Sequence, residues 1–170
     1  MNTYTLIHVL LSLVGILSGL VVLYGLLTAQ RLVGWTHLVV WTTLATTLTG
    51  FGFPFNGFTP ALGVGIVSTI ILVFTVTALY ARKLAGAWRG IYVVTAVAAL
   101  YLNVFVLIVQ LFLKVPALHA LAPQGKEPPF AIAQGIAFLF FLIMGYLSLK
   151  RFHPQASSAV DGSSLQERRL

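Results

Sequence analysis

Carboxylates are almost absent from this sequence, and this limits the chemistry that the chain can perform. The only acidic residues are Glu127, Asp161 and Glu167, and none of them lies inside a long apolar segment. A proton relay or a cation-coupled transporter needs ionisable groups at depth in the membrane, and carboxylate-based hydrolysis needs an acid and a base. There is also no cysteine, so thiolate nucleophiles and thiolate metal sites are excluded. We therefore do not predict an enzyme.

Four histidines remain as candidate ligands. Membrane cytochromes of the four-helix type hold a haem between two histidines at matched depth. His8 and His37 lie near opposite sides of the membrane, and His153 follows the last apolar segment. Only His8 and His119 are therefore predicted on the same side of the membrane. They are the candidate cofactor-binding residues for a haem or a quinone. In the alternative interpretation, His8 is an interfacial residue and His119 an exposed loop residue. Two histidines without a third ligand do not predict a metal site.

Amide side chains form the second candidate set. Asn103 and Gln110 are seven residues apart, so with Tyr92 they share one face of a helix. Gln134, in the last apolar segment, is a candidate neighbour. Because lipid cannot satisfy an amide, we expect this face to point into a helical bundle. There it either holds helices together or lines a small polar pocket.

The elements that position these residues are long apolar segments. The chain has 170 residues, of which 59% are hydrophobic and 8% charged, and its mean hydropathy is +0.98; soluble domains carry about 25% charged residues. We predict an all-α membrane protein, a bundle of five transmembrane helices within residues 1–151. At about 1.5 Å per residue, most of these segments are long enough for a hydrocarbon core of roughly 30 Å. The predicted spans are residues 5–28, 35–52, 60–81, 90–113 and 130–149.

Local signals refine these segments. Gly15 and Gly19 form a small-xxx-small pair, which predicts a close helix contact. Thr59 and Pro60 predict an N-cap and a first helical residue. Pro116 predicts a short helical turn through His119 to Leu121. The second span is rich in threonine, whose hydroxyls are expected to bond to carbonyls one turn earlier. Four phenylalanines are expected at interface depth after it: Phe51, Phe53, Phe55 and Phe58.

Positive residues predict the orientation. With alternating spans, eight lysine and arginine residues lie on one side of the membrane and two lie on the other. The N-terminus is therefore expected outside, and residues 152–170, which are polar and rich in serine, form a flexible cytoplasmic tail. Because the basic residues sit at span ends rather than on a solvated face, nucleic acid is not a predicted partner; the lipid bilayer is. The two groups are Arg31, Arg82, Lys83, Arg89, Lys150, Arg151, Arg168 and Arg169, against Lys114 and Lys126.

The stretch GAWRGIYVVTAVAALYLNVFVLIVQLFLKVPALHALAP, with EPPF after it and TGFGFPF upstream, resembles a group of small multi-span membrane proteins of proteobacteria. The resemblance covers most of the chain except the tail. It implies a bacterial inner-membrane location. It carries no activity and no binding residue over to this chain.

Three functional hypotheses follow from these patterns. The first is a non-catalytic bundle that serves as an accessory or assembly subunit of a membrane complex, or forms a small homo-oligomer. The second is a redox protein that binds haem or quinone near the outer face through His8 and His119. The third is a small-molecule channel or carrier that uses the face of Asn103 and Gln110.

Overall fold

A computed structural model describes residues 2–53, 57 and 59–153, and within these residues the chain forms helices and no strand. The predicted Phe55 and Phe58 positions, and the predicted tail from residue 154 onward, lie outside the described residues. The helices are α1 (Thr3–Leu27), α2 (Val33–Phe51), α3 (Pro60–Val76, continued by a π-helical turn over Thr77–Ala81), α4 (Ala87–Lys114), α5 (Pro116–Leu121) and α6 (Pro128–Arg151).

The helix starts follow local chemistry. The Asn2 side chain accepts a hydrogen bond of 2.8 Å from the Thr5 amide at the start of α1. At the start of α3, the Thr59 hydroxyl accepts one of 3.2 Å from the Leu62 amide, with proline at the first helical position. This confirms the predicted N-cap, and the short helix α5 confirms the predicted turn after Pro116.

Four helices in the described part are long and apolar enough to cross a membrane: α1, α3 with its π-helical turn, α4 and α6. This supports the prediction of a helical membrane protein. The second predicted span corresponds to α2, which has 19 residues. Its threonines and His37 make it less apolar than the other four, because hydroxyls and imidazole are costly in hydrocarbon.

The helices α1 to α4 form a ring. Each contacts its neighbours in chain order, α4 closes the ring against α1, and the pairing of α1 with α2 is the most extensive. The helix α6 lies outside this ring, against α4 and α1. Val93 of α4 is fully buried, with Leu23 of α1 and Leu100 of α4 in the same apolar cluster.

Two glycines allow α1 to approach its neighbours. A Cβ atom at Gly15 would lie 3.3 Å from the Thr42 hydroxyl of α2. A Cβ atom at Gly19 would lie 2.6 Å from a methyl carbon of Leu100 in α4. The small-residue face of α1 therefore lies in close contact with both α2 and α4.

Two threonine hydroxyls in α2 bond within the helix, as predicted, whereas the buried Thr46 hydroxyl has no partner among the described residues. Thr42 donates to the Leu38 carbonyl at 2.7 Å, and Thr49 donates to the Ala45 carbonyl at 2.7 Å. These bonds satisfy the hydroxyls without water. A threonine-rich helix is therefore compatible with a membrane bundle.

The Gly19 contact gives a first testable prediction. In Gly19→Ala, the new methyl group would overlap the Leu100 side chain, which would have to rotate in a packed core. We expect the free energy of unfolding to fall by about 1 to 2 kcal/mol. Thermal unfolding of the purified protein in one detergent measures this change.

Gly135→Ala is the matched control, because nothing lies within 4 Å of a Cβ atom there. In that helix interior alanine is favoured over glycine by roughly 0.5 to 1 kcal/mol, so stability should stay the same or rise. Equal effects of the two substitutions would contradict a close contact between α1 and α4.

Candidate functional site

The helix order places two different sets of residues at the two ends of the bundle. The first, the basic end, is where α1, α3 and α6 finish and where α2 and α4 begin. The second, the opposite end, holds the start of α1, the helix α5 and the start of α6. The positive residues predicted to share one side are at the basic end, as far as the structure describes them: Arg31, Arg82, Lys83, Arg89, Lys150 and Arg151.

A cavity of about 100 Å³ opens at the basic end, between α1, α2, the π-helical turn and α4. We call it the basic-end cavity. Apolar walls come from Val22 and Leu26 of α1, Val33 of α2, and Leu79 and Leu84. Its polar lining is Gln30, Arg31, Thr36, His37, Tyr80 and Tyr92.

The π-helical turn places one wall of this cavity. The Arg82 amide donates to the Thr77 carbonyl at 2.9 Å, which is the five-residue spacing of a π-helix. Such turns are rare and are frequent at functional sites. Here the turn brings the Tyr80 ring parallel to the His37 imidazole, with 5.6 Å between ring centres and 29° between planes.

Tyr92 connects the basic-end cavity with the interior of the ring. It is only 3% exposed, and it lines both this cavity and a smaller one of about 20 Å³ in the ring centre. Thr36 lines both cavities with it. The central cavity, which Thr43 and Thr75 also line, has room for about one water molecule.

The residue that follows α6 closes the other side of the basic-end cavity. Phe152 is 2% exposed, and its ring lies 6.1 Å from the ring of Tyr92. The Arg89 guanidinium donates a hydrogen bond to the Phe152 carbonyl. The Phe152 amide donates to the Ser148 carbonyl at 2.8 Å. The end of α6 is thereby fixed against the start of α4.

At the opposite end, His8 is part of an internal hydrogen-bond cluster. Its Nδ1 atom lies 2.8 Å from the Thr49 hydroxyl, and its ring meets the Phe53 ring edge-on at 5.2 Å. The Tyr4 hydroxyl donates to the Thr49 carbonyl at 2.5 Å. These contacts hold the start of α1 against the end of α2.

His119 does not join this cluster. It is exposed on α5, and no hydrogen bond or ring contact links it to His8 in the described part of the chain. Nor do the described residues contain a group of three His, Cys, Asp or Glu side chains that could hold a metal ion. The haem or quinone site at His8 and His119 stays a prediction.

The predicted amide face is only partly buried. Asn103 donates to the Thr43 hydroxyl at 3.4 Å, across the ring. Gln134 donates to the Phe105 carbonyl at 3.2 Å, and its own carbonyl oxygen is buried without a partner among the described residues. Both amides therefore link α4 to another helix.

Gln110, in contrast, is exposed, and its predicted inward position is wrong. Near the end of α4 the buried face is the one that carries Phe112, whose ring lies 5.4 Å from that of Phe130 in α6. Because two residues correspond to about 200° of helix rotation, Gln110 points the other way.

Sequence reasoning missed the basic-end cavity. From the sequence, His37 is only a histidine near one end of its apolar segment, and the second span is only rich in threonine. The π-helical turn has no sequence signature, so the position of Tyr80 opposite His37 was not foreseeable. The available signal was the convergence of Arg31, His37 and Tyr80 at one end of three adjacent predicted spans.

The cavity presents hydrogen-bond donors to a ligand. Its hydroxyl, amide and guanidinium groups can all donate hydrogen bonds. No carboxylate lines it, and Glu127, the only acidic residue in the described part, precedes α6 at the opposite end. The geometry therefore favours a ligand that accepts hydrogen bonds.

Glu127 gives a prediction about pH. One carboxylate oxygen accepts from the Gln124 amide at 3.0 Å and the other from the Lys126 amide at 2.9 Å. These two backbone bonds, first that of Gln124, hold the pKa of Glu127 below its ordinary value. When the pH is above the ordinary pKa of a glutamate, the Glu127 carboxylate is ionised and orders the loop before α6. This ordering is lost as the pH falls through the lowered pKa of Glu127.

Carbon-13 NMR titration of the carboxyl groups in micelles measures this pKa. Glu127→Gln should abolish the pH-dependent change in the protection of the Gln124 and Lys126 amides from hydrogen exchange, measured relative to their intrinsic exchange rates. A Glu127 carboxyl that titrates at or above its ordinary value would contradict the two bonds.

The chain was also compared with known proteins. No protein-family model, no curated protein and no solved structure matches it significantly. The candidate site therefore rests on the geometry of the described residues alone.

Proposed function

We propose that the chain is a five-span protein of the bacterial inner membrane, with its N-terminus outside and its C-terminus in the cytoplasm. The position of α2 supports the fifth span. It lies in the ring between α1 and α3, and its 19 residues extend over about 28 Å, close to the roughly 30 Å of the hydrocarbon core. The positive residues at the basic end support the orientation.

Because the chain has no cysteine, single cysteines can test this topology. We expect Thr28→Cys and Ala85→Cys to be shielded from a membrane-impermeant maleimide in intact cells, and Ala61→Cys and Gln124→Cys to be labelled. All four positions are exposed. If α2 does not cross, Thr28 and Ala61 will share a side, and the five-span proposal fails.

Within this architecture we propose a binding function rather than a catalytic one. The observation that carries this proposal is the basic-end cavity, in which six polar side chains from separate elements surround about 100 Å³ of open space. An open channel is not favoured, because beyond Tyr92 the ring interior narrows to a cavity of about 20 Å³. A ligand would enter and leave at the basic end.

An accessory subunit or a small homo-oligomer is the second candidate function, and α6 favours it. This helix lies outside the ring, and only Phe141 and Ser148 in it are buried. A second membrane helix packed on α6 would cover apolar surface that otherwise faces lipid.

Native mass spectrometry of the protein released from mild detergent distinguishes the two candidate functions. For the binding function we expect an additional small mass on the chain. Val33→Trp places an indole ring at the cavity wall and should remove that mass. Val67→Trp is the control, since Val67 is also an exposed valine but does not line the cavity.

The outcomes of this experiment differ for each proposal. A small mass that persists in both tryptophan variants would place the ligand elsewhere and contradict the basic-end cavity as its site. A second protein subunit, or a second copy, would support the accessory role. A ligand-free, solitary monomer would contradict both candidate functions.

A further inference from the structure

We propose that the basic-end cavity binds an oxyanion of the phosphate type, carried either by a lipid head group or by a free anion. This inference rests on the proposed binding function and specifies its ligand. It is drawn from the charge, the donor geometry and the size of the cavity.

The charge argument begins with Arg31, whose side chain lines the cavity. Three other cations at the basic end have contacts of their own. Arg89 donates to the Phe152 carbonyl, Arg82 lies 5.2 Å from the centre of the Trp88 ring, and Lys150 lies 4.5 Å from that of Tyr146. Because no carboxylate of the described residues lines the cavity, none of them competes with an anion for the Arg31 guanidinium.

The donor geometry suits several oxygen atoms at once. Arg31 comes from the connection between α1 and α2, Thr36 and His37 from α2, Tyr80 from the π-helical turn, and Tyr92 from α4. Guanidinium groups recognise phosphate oxygens by paired hydrogen bonds, and hydroxyl groups donate to the remaining ones. Tyr92 is nearly buried, so its position is fixed before a ligand arrives.

The size of the cavity limits the ligand. Its volume of about 100 Å³ is less than the roughly 150 Å³ of a cavity that accommodates benzene. A tetrahedral phosphate group fits this space, whereas a porphyrin does not. Apolar side chains such as Val33, Leu79 and Leu84 share the lining, and acyl chains attached to the phosphate would extend past them into the bilayer.

The two sources of the oxyanion can be separated by reconstitution. The full chain is placed in phosphate-free maltoside micelles, in the same micelles with added phosphatidylglycerol, and in the same micelles with added inorganic phosphate. Thermal stability and phosphorus-31 NMR line broadening report binding. A lipid ligand stabilises only the second preparation, and a free anion only the third.

Arg31→Gln tests the site itself. Losing one charge-assisted hydrogen bond of roughly 1.5 to 3 kcal/mol should weaken binding by about tenfold or more. Lys150→Gln is the matched control, because it removes one positive charge at the same end but away from the cavity. We expect the control to change affinity by less than about twofold, within the range of a screened surface charge.

Each outcome has a distinct consequence. Equal losses in the two glutamine variants would indicate nonspecific attraction and overturn the inference. Binding that survives Arg31→Gln but is lost in Val33→Trp would also overturn it, while leaving the basic-end cavity as the binding site of a neutral ligand. If neither the lipid nor the free anion binds, the proposal of an oxyanion ligand is overturned. The native mass spectrum then shows whether the chain carries another small ligand, and so whether the proposed binding function fails as well.

Discussion

The close approach of α1 to α2 and α4 is the constraint on which the rest of the structure depends. In a bilayer, apolar surface gains little from contact with other apolar surface, so helices associate through tight packing and hydrogen bonds. Gly15 and Gly19 provide the tight packing, and the Asn103 to Thr43 bond adds a polar link across the ring. Because the ring closes through these contacts, α6 is left outside it, and the two ends of the ring become the places where polar groups can gather.

The connection between α1 and α2 shows how the same constraint shapes the basic-end cavity. The Gln30 amide donates to the Gly25 carbonyl at 2.8 Å, and Ala29 between them has a φ of 58°, the arrangement that commonly ends a helix. A Cβ atom at Gly25 would lie 2.9 Å from Leu32 and 3.0 Å from the Gln30 carbonyl. The chain therefore turns back tightly over α1, and this turn carries Arg31 to the cavity.

The sequence predicted the elements of this fold better than their mutual positions. Runs of apolar residues, the cap at Thr59 and the proline at Pro116 are local features, so the helices they predict could be located from the chain alone. The face of Gln110 could not, because it depends on how Phe112 meets Phe130 in another helix. The site at Tyr80 and His37 depends on a π-helical turn, which arises from packing and leaves no pattern in the residues.

The contrast between the two ends is the strongest reason to place binding at the basic end. At the opposite end, His8, Tyr4 and Thr49 bond to one another, and Glu127 bonds to backbone amides. Polar groups that satisfy one another in this way hold helices together and leave little for a ligand. At the basic end, Arg31, His37 and Tyr80 instead face an open space. His37 and Tyr80 stack on each other, and with Arg31 they line the space that the proposed ligand would fill.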